Sequence, residues 1–121
     1  MHQLLLLRHA KSSWDDPALS DHARPLNPRG RRAAAAMRGH MQLQGLAPDV
    51  ILVSSSRRTL QTLEAVGPWP DSPLVEVLDV LYLADAGALL QQIQATRETV
   101  RSLLLVGHNP CLLYTSDAAD E

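Results

Sequence analysis

Two apolar runs that each stop at a histidine constrain this chain more than any other feature. Leu4-Leu5-Leu6-Leu7 is followed by Arg8-His9, and Leu103-Leu104-Leu105-Val106 by Gly107-His108. A short continuous apolar run bounded by polar residues reads as a strand buried on both faces. Such strands belong to mostly parallel sheets covered by helices. In open α/β sheets the ligand crevice lies just beyond the carboxyl ends of the strands. His9 and His108, far apart in sequence, are therefore expected side by side at that rim. Either one alone could be a core histidine satisfied by backbone, but the shared placement points to an active site.

The rest of the chain fits the same architecture. Residues 3–7 form the first strand, and residues 10–27 have the Ser, Asp, Pro and Asn content of a long loop. A loop of that length in a compact domain is usually functional or disordered. Asn27-Pro28 has the chemistry of a helix start, and Gly45 that of a stop, which predicts a helix to about Gln44. Its spacing puts Ala33, Met37 and Met41 on one face and Arg31, Arg32 and Arg38 elsewhere. Val50–Val53 is a second buried strand, followed by Ser54-Ser55-Ser56 and a helix from about Arg57 to Val66 that ends at Gly67-Pro68. Leu74–Val77 reads as a short strand, Leu78–Leu83 is ambiguous, Ala86–Ala95 is a helix, and Ser102–Val106 is the fourth strand. This alternation predicts an α/β fold, three-layer α/β/α with a mostly parallel central sheet.

Composition removes several function classes. The 121 residues suffice for one domain with a core that must be aliphatic, since Phe is absent. A net charge of −2 provides no basic field for nucleic acid or an anionic membrane. The single Cys111 forbids an intrachain disulfide, and the four-leucine run is far short of a membrane span, so a cytoplasmic protein is expected. Oligomeric state stays open. After Pro110 the chain turns into a small-residue tail without strand or helix periodicity. The expected division is a domain over 1–110, incomplete at its carboxyl end, and a non-native or disordered tail over 111–121.

The chemistry-bearing residues cluster beyond the strand ends. Arg8 and His9 follow the first strand; Ser54–Ser56, Arg57 and Arg58 follow the second, at a helix N-terminus whose free backbone donors suit an anion. Gly107 and His108 follow the fourth, and Arg24 lies in the long loop, free to fold over the mouth. Arginine's planar fork matches phosphate oxygens two at a time, so the set describes a phosphate pocket. Taken singly, each arginine reads better as a solvated charge. His2, His22 and His40 read as terminal, loop and helix-surface residues. Glu76 and Asp79 are the only acids near the third strand, and neither stands in a convincing motif for a general acid. No H-x-x-x-H, C-x-x-C or acidic cluster suggests a metal.

Four segments in order, Arg8-His9-Ala10, Arg24-Pro25-Leu26-Asn27, Val53 to Thr62, and Gly107-His108-Asn109-Pro110, resemble the histidine phosphatase superfamily, the phosphoglycerate-mutase-like enzymes. Short length and Arg-Pro-Leu followed by Arg29-Gly30 resemble its SixA-type branch, the phosphohistidine phosphatases. The resemblance implies that His9 is the nucleophile, that Arg8, Arg58 and His108 are its phosphate-pocket partners, and that Arg24 is the branch's additional arginine. Of the Arg57-Arg58 pair, Arg58 fits the family spacing. It further implies a metal-independent, cofactor-free phosphatase passing through a phosphohistidine intermediate. The substrate would be phosphohistidine in a protein, with a small phosphomonoester or non-catalytic phosphate binding as alternatives. The family usually has glycine where this chain has Cys111, and nothing from Leu112 onward resembles it.

Overall fold

The computed structural model describes residues 3–9, 12–69, 73–82, 84–96, 100–108 and the strand 114–117. Five strands form one sheet: β1 (Gln3–Arg8), β2 (Val50–Ser54), β3 (Leu74–Leu78), β4 (Ser102–Gly107) and β5 (Tyr114–Asp117). Their spatial order is β3-β2-β4-β1-β5, parallel throughout except for β5, which runs antiparallel to β1. The helices are α1 (Pro28–Leu43), α2 (Arg57–Val66) and α3 (Ala86–Ala95).

Side chains on successive strand residues point to opposite faces, which divides the core in two. Leu5, Leu7, Ile51, Val53, Leu104 and Val106 meet Ala34 and Met41 of α1 and Val66 of α2 on one face. Leu52, Leu103 and Leu105 pack with Leu81 and with Leu89 of α3 on the other. The three-layer α/β/α arrangement follows. β4 is buried along its whole length because it lies between β1 and β2 with helices above and below.

Local signals place the helix ends. Asn27 Oδ1 accepts a hydrogen bond from Gly30 N–H at 2.7 Å to open α1, and Gly45, at φ +65°, closes it. Asp85 Oδ1 accepts from Ala88 N–H at 2.8 Å to open α3. The buried face of α1 is Gly30, Ala34 and Met41, with Met37 partly buried and Ala33 exposed. The expected face is therefore corrected by one residue at its first member. Four consecutive alanines, Ala33–Ala36, left hydrophobicity unable to choose among them.

Within the tail, which has no strand periodicity, the backbone of Tyr114–Asp117 pairs with β1, Leu6 opposite Tyr114 and Gln3 opposite Asp117. Backbone pairing needs no apolar periodicity, only an open edge, and β1 offers one. Asn109, Pro110, Cys111 and the remainder of the tail lie outside the described residues, as do His2, Ala10 and Leu83.

Candidate active site

Strand register brings the two histidines together. β1 and β4 pair in parallel with Arg8 opposite Gly107, so His9 and His108 are the next rung. His9 N–H donates to Gly107 O at 3.0 Å and extends the ladder to that point. The two ring centroids stand 5.2 Å apart, tilted by 57°. β2 supplies the next side chain. Val53 is opposite Val106, and Ser54 Oγ, one residue further on, lies 2.7 Å from His108 Nε2, with Ser56 Oγ at 3.3 Å.

The serines were expected to belong to an anion-binding helix N-terminus. Ser54 and Ser56 instead turn inward, while Ser55 stays partly exposed. Ser56 caps α2 by accepting from Thr59 N–H, and Ser54 Oγ accepts from Ser56 N–H. What α2 contributes to the site is Arg58, 3% exposed, while Arg57 next to it points to solvent. All three guanidinium nitrogens of Arg58 are occupied. Nη1 donates to Asp21 O at 2.5 Å, Nη2 to Asp21 Oδ2 at 3.0 Å, and Nε to His9 Nε2 at 3.4 Å. A guanidinium can only donate, so His9 presents an unprotonated Nε2 to it.

The long loop is stapled down. Ser12 and Leu26 form an isolated antiparallel bridge, Ser13 N–H donates to Pro25 O, and Leu26 N–H donates to Gln61 Oε1 of α2 at 2.8 Å. These bonds bury Arg24, whose Nη2 donates to the Ser12 hydroxyl and whose Nη1 lies 3.5 Å from Asp21 Oδ1. The outcome is an open cleft of about 760 Å³ whose walls include Arg8, His9, Arg24, Arg58 and His108. Arg8 reaches the wall from the exposed end of β1, whereas Ser54, Ser55, Ser56, Arg57 and Gly107, grouped with these residues by their place beyond the strand ends, do not line the cleft.

Several contributors escaped the sequence reading. Asp21 bridges Arg24 and Arg58 and accepts a 2.5 Å hydrogen bond from the Tyr82 hydroxyl. Its Asp-x-x-Arg spacing to Arg24 was the one available signal. Tyr82 also sets its ring edge against His108 at 5.4 Å and against His22 at 4.8 Å. His22, read as an ordinary loop residue, has Nε2 at 2.9 Å from Ser55 Oγ beside this cluster. Glu76 and Asp79 are exposed on and after β3 and do not line the cleft, which corrects them as general-acid candidates; the carboxylates on its wall are Asp15 and Asp21.

The electrostatics follow from these neighbours. The Tyr82 hydroxyl, then Arg58, hold the Asp21 carboxyl below its ordinary 3.8, and the same bond raises Tyr82 above 10.0. Burial, with Arg58 and His9 adding to it, pulls His108 from 6.5 down to about 4. Its Nδ1 is buried with no partner among the described residues, so protonation would bury an unsatisfied donor. Between pH 6.5 and about 4 the unfolded chain binds a proton here that the native protein refuses, so stability falls as pH drops through that window. Denaturant midpoints measured across it should decline, and His108→Gln should flatten that part of the profile. The ceiling is about 3 kcal/mol, lowered by the solvent that reaches the half-buried ring.

The family pattern of the histidine phosphatase superfamily (branch 1) matches residues 4–81, and the chain belongs to that superfamily. Within it the likeness runs to the SixA-type branch. Phosphohistidine phosphatase SixA of Escherichia coli (strain K12) is 35% identical over 115 residues, 93% of this chain and 70% of that protein. The crystal structure of a candidate phosphohistidine phosphatase SixA from Agrobacterium tumefaciens superposes with a TM-score of 0.84 at 34% identity, covering 92% of this chain and 71% of that one. An uncharacterized protein of Mycobacterium tuberculosis (strain CDC 1551 / Oshkosh) is 38% identical over 104 residues, 86% of this chain. The chain spans 63% of the length of that mycobacterial relative.

Proposed function

We propose that this chain is a phosphatase in which His9 Nε2 attacks phosphorus and forms a phosphohistidine that water then hydrolyses. As the N–P bond forms, the bond from phosphorus to the leaving group breaks, and the leaving atom takes a proton from solvent. Water then attacks phosphorus, the N–P bond breaks, and inorganic phosphate leaves a neutral His9 behind. The observation that carries this reading is the paired imidazoles, 5.2 Å apart, inside a cleft with three arginines on its walls. Arg8, Arg24, Arg58 and His108 would hold the phosphoryl oxygens, so catalysis is mostly positioning and charge stabilisation.

The proton donors on the wall bear on the substrate class. Of its two carboxylates, Asp15 and Asp21, the second is held ionised by Tyr82 and Arg58 and is a poor proton donor at neutral pH. A leaving group of low basicity suits such a site, and the imidazole released from protein phosphohistidine is one. SixA relatives bear the name phosphohistidine phosphatase, and one SixA structure, 35% identical to this chain, is complexed with tungstate, a tetrahedral oxyanion. Among the described residues no group of three or more His, Cys, Asp or Glu is arranged to hold a metal ion, and no helix is long and apolar enough to cross a membrane. A cytoplasmic phosphohistidine-bearing protein is the partner this reading names.

Mixing the protein with a phosphohistidine peptide, quenching, and mapping phosphate by mass spectrometry tests the proposal. Label on His9 with release of phosphate is expected. Turnover without label there, or saturable phosphate binding without turnover, overturns it in favour of another mechanism or a binding module; faster turnover of small phosphomonoesters overturns the substrate class.

Asp21 acts through Arg58. Asp21→Asn keeps the backbone carbonyl contact to Nη1 but weakens the carboxylate contacts, and should lower kcat by about ten- to a hundredfold with a smaller change in KM. Steady-state kinetics beside Glu76→Gln and Asp79→Asn, which lie outside the cleft, provide the comparison.

A further inference from the structure

We propose that Trp14 is the recognition surface for the group that carries the phosphoryl, and that this group is a small planar ring. The inference rests on the phosphatase reading and deepens it by assigning a subsite for the leaving group. Apart from Trp14, the described residues on the cleft wall are charged, polar or histidine, so the indole is the apolar surface a leaving group can meet there. Phe is absent from the chain and aromatic residues make up 3% of it, yet this one is 77% exposed at the mouth of the cleft. Exposure alone would say little, since Leu43 on α1 is 90% exposed and does not line the cleft.

The geometry of the ring carries the argument. Arg24 Cζ lies 3.3 Å from the indole centroid, so one face of Trp14 rests on a guanidinium. That guanidinium is itself fixed, 7% exposed, hydrogen-bonded to the Ser12 hydroxyl and ion-paired with Asp21. A ring anchored on one face loses less freedom when a ligand covers the other. The open face of such an indole takes a second planar group by offset or edge-on stacking. Arg24 thereby links two tasks, holding a phosphoryl oxygen and presenting the ring that grips what the phosphoryl is attached to. An imidazole bearing a phosphoryl group fits both contacts.

The test compares two substrates that share a P–N bond and differ in the ring: a phosphohistidine peptide and phosphoramidate. The ratio of their kcat/KM values is measured for the wild type, Trp14→Ala and Trp14→Phe. The alanine variant should lower the peptide-to-phosphoramidate ratio about three- to tenfold, mostly through KM for the peptide, and phenylalanine should restore most of it. Equal losses on both substrates would mean that Trp14 only props Arg24, and would overturn the inference while leaving the phosphatase reading intact. An unchanged ratio, or wild-type turnover of phosphoramidate but not of the peptide, also overturns it. Wild-type protein inactive on both substrates would overturn the phosphatase reading, and this inference with it.

Discussion

His9→Ala is expected to abolish measurable turnover, a loss on the order of 10⁴-fold or more, while leaving the protein folded. The imidazole is the group proposed to form the covalent bond, and no neighbouring side chain can replace it. Among the described residues on the cleft wall, His108 is the other imidazole, but it sits against Ser54 and Ser56 with its Nδ1 buried. The fold should survive because the backbone bond from residue 9 to Gly107 O does not involve the side chain, and the ring is only half-buried at the end of β1. Two measurements check this together. Turnover of a phosphohistidine peptide should vanish, and the denaturation midpoint should stay close to the wild-type value. Retained turnover would remove His9 from the chemistry.

Arg58→Lys should cost on the order of 10²–10³-fold in kcat/KM although it preserves the charge. The wild-type guanidinium makes three differently directed contacts, to the Asp21 carbonyl, the Asp21 carboxylate and His9 Nε2. An ammonium is a point charge on a flexible stem and cannot reproduce that fork. Part of the loss should appear as weaker competitive inhibition by inorganic phosphate, since Arg58 is also proposed to bind the phosphoryl oxygens. Arg57→Lys, one residue away and facing solvent, should change either quantity by less than about twofold. If the two variants behaved alike, charge at the helix start would matter and its geometry would not.

Much of this site could be read along the chain because its parts are local. The apolar runs before His9 and His108 announced strands, Asn27-Pro28 opened a helix where expected, and Ala86–Ala95 formed a helix with the anticipated ends. The choice of Arg58 over Arg57 depended on family spacing, and the burial of α2 agrees with it. The failures share a cause as well. Leu78–Leu83 was ambiguous because neither period dominates it, and the structure makes Asp79–Leu81 a single 3₁₀ turn that brings Tyr82 against Asp21 and His108. Asp21 differed from the loop acids Asp15 and Asp16 only in its spacing to Arg24, since what sets it apart is a partner in Tyr82, 61 residues later.

The amino-acid order already settled the four parallel strands and the three capped helices, though β1 buries only Leu5 and Leu7 fully and leaves Leu4 and Leu6 partly exposed, where burial on both faces was expected. It also settled that two imidazoles end two such strands. Those properties depend on neighbours within a few residues, through apolar runs, capping side chains and left-handed glycine. The distances between functional groups had another origin. Parallel pairing in register set His9 beside His108, and the Ser12–Leu26 bridge turned a polar loop into the wall that holds Arg24. Asp21 became the tie between Arg24 and Arg58 only once loop, helix and sheet edge had met. Contacts between residues remote in sequence depend on register and packing, which form cooperatively and leave little trace in any single stretch of chain.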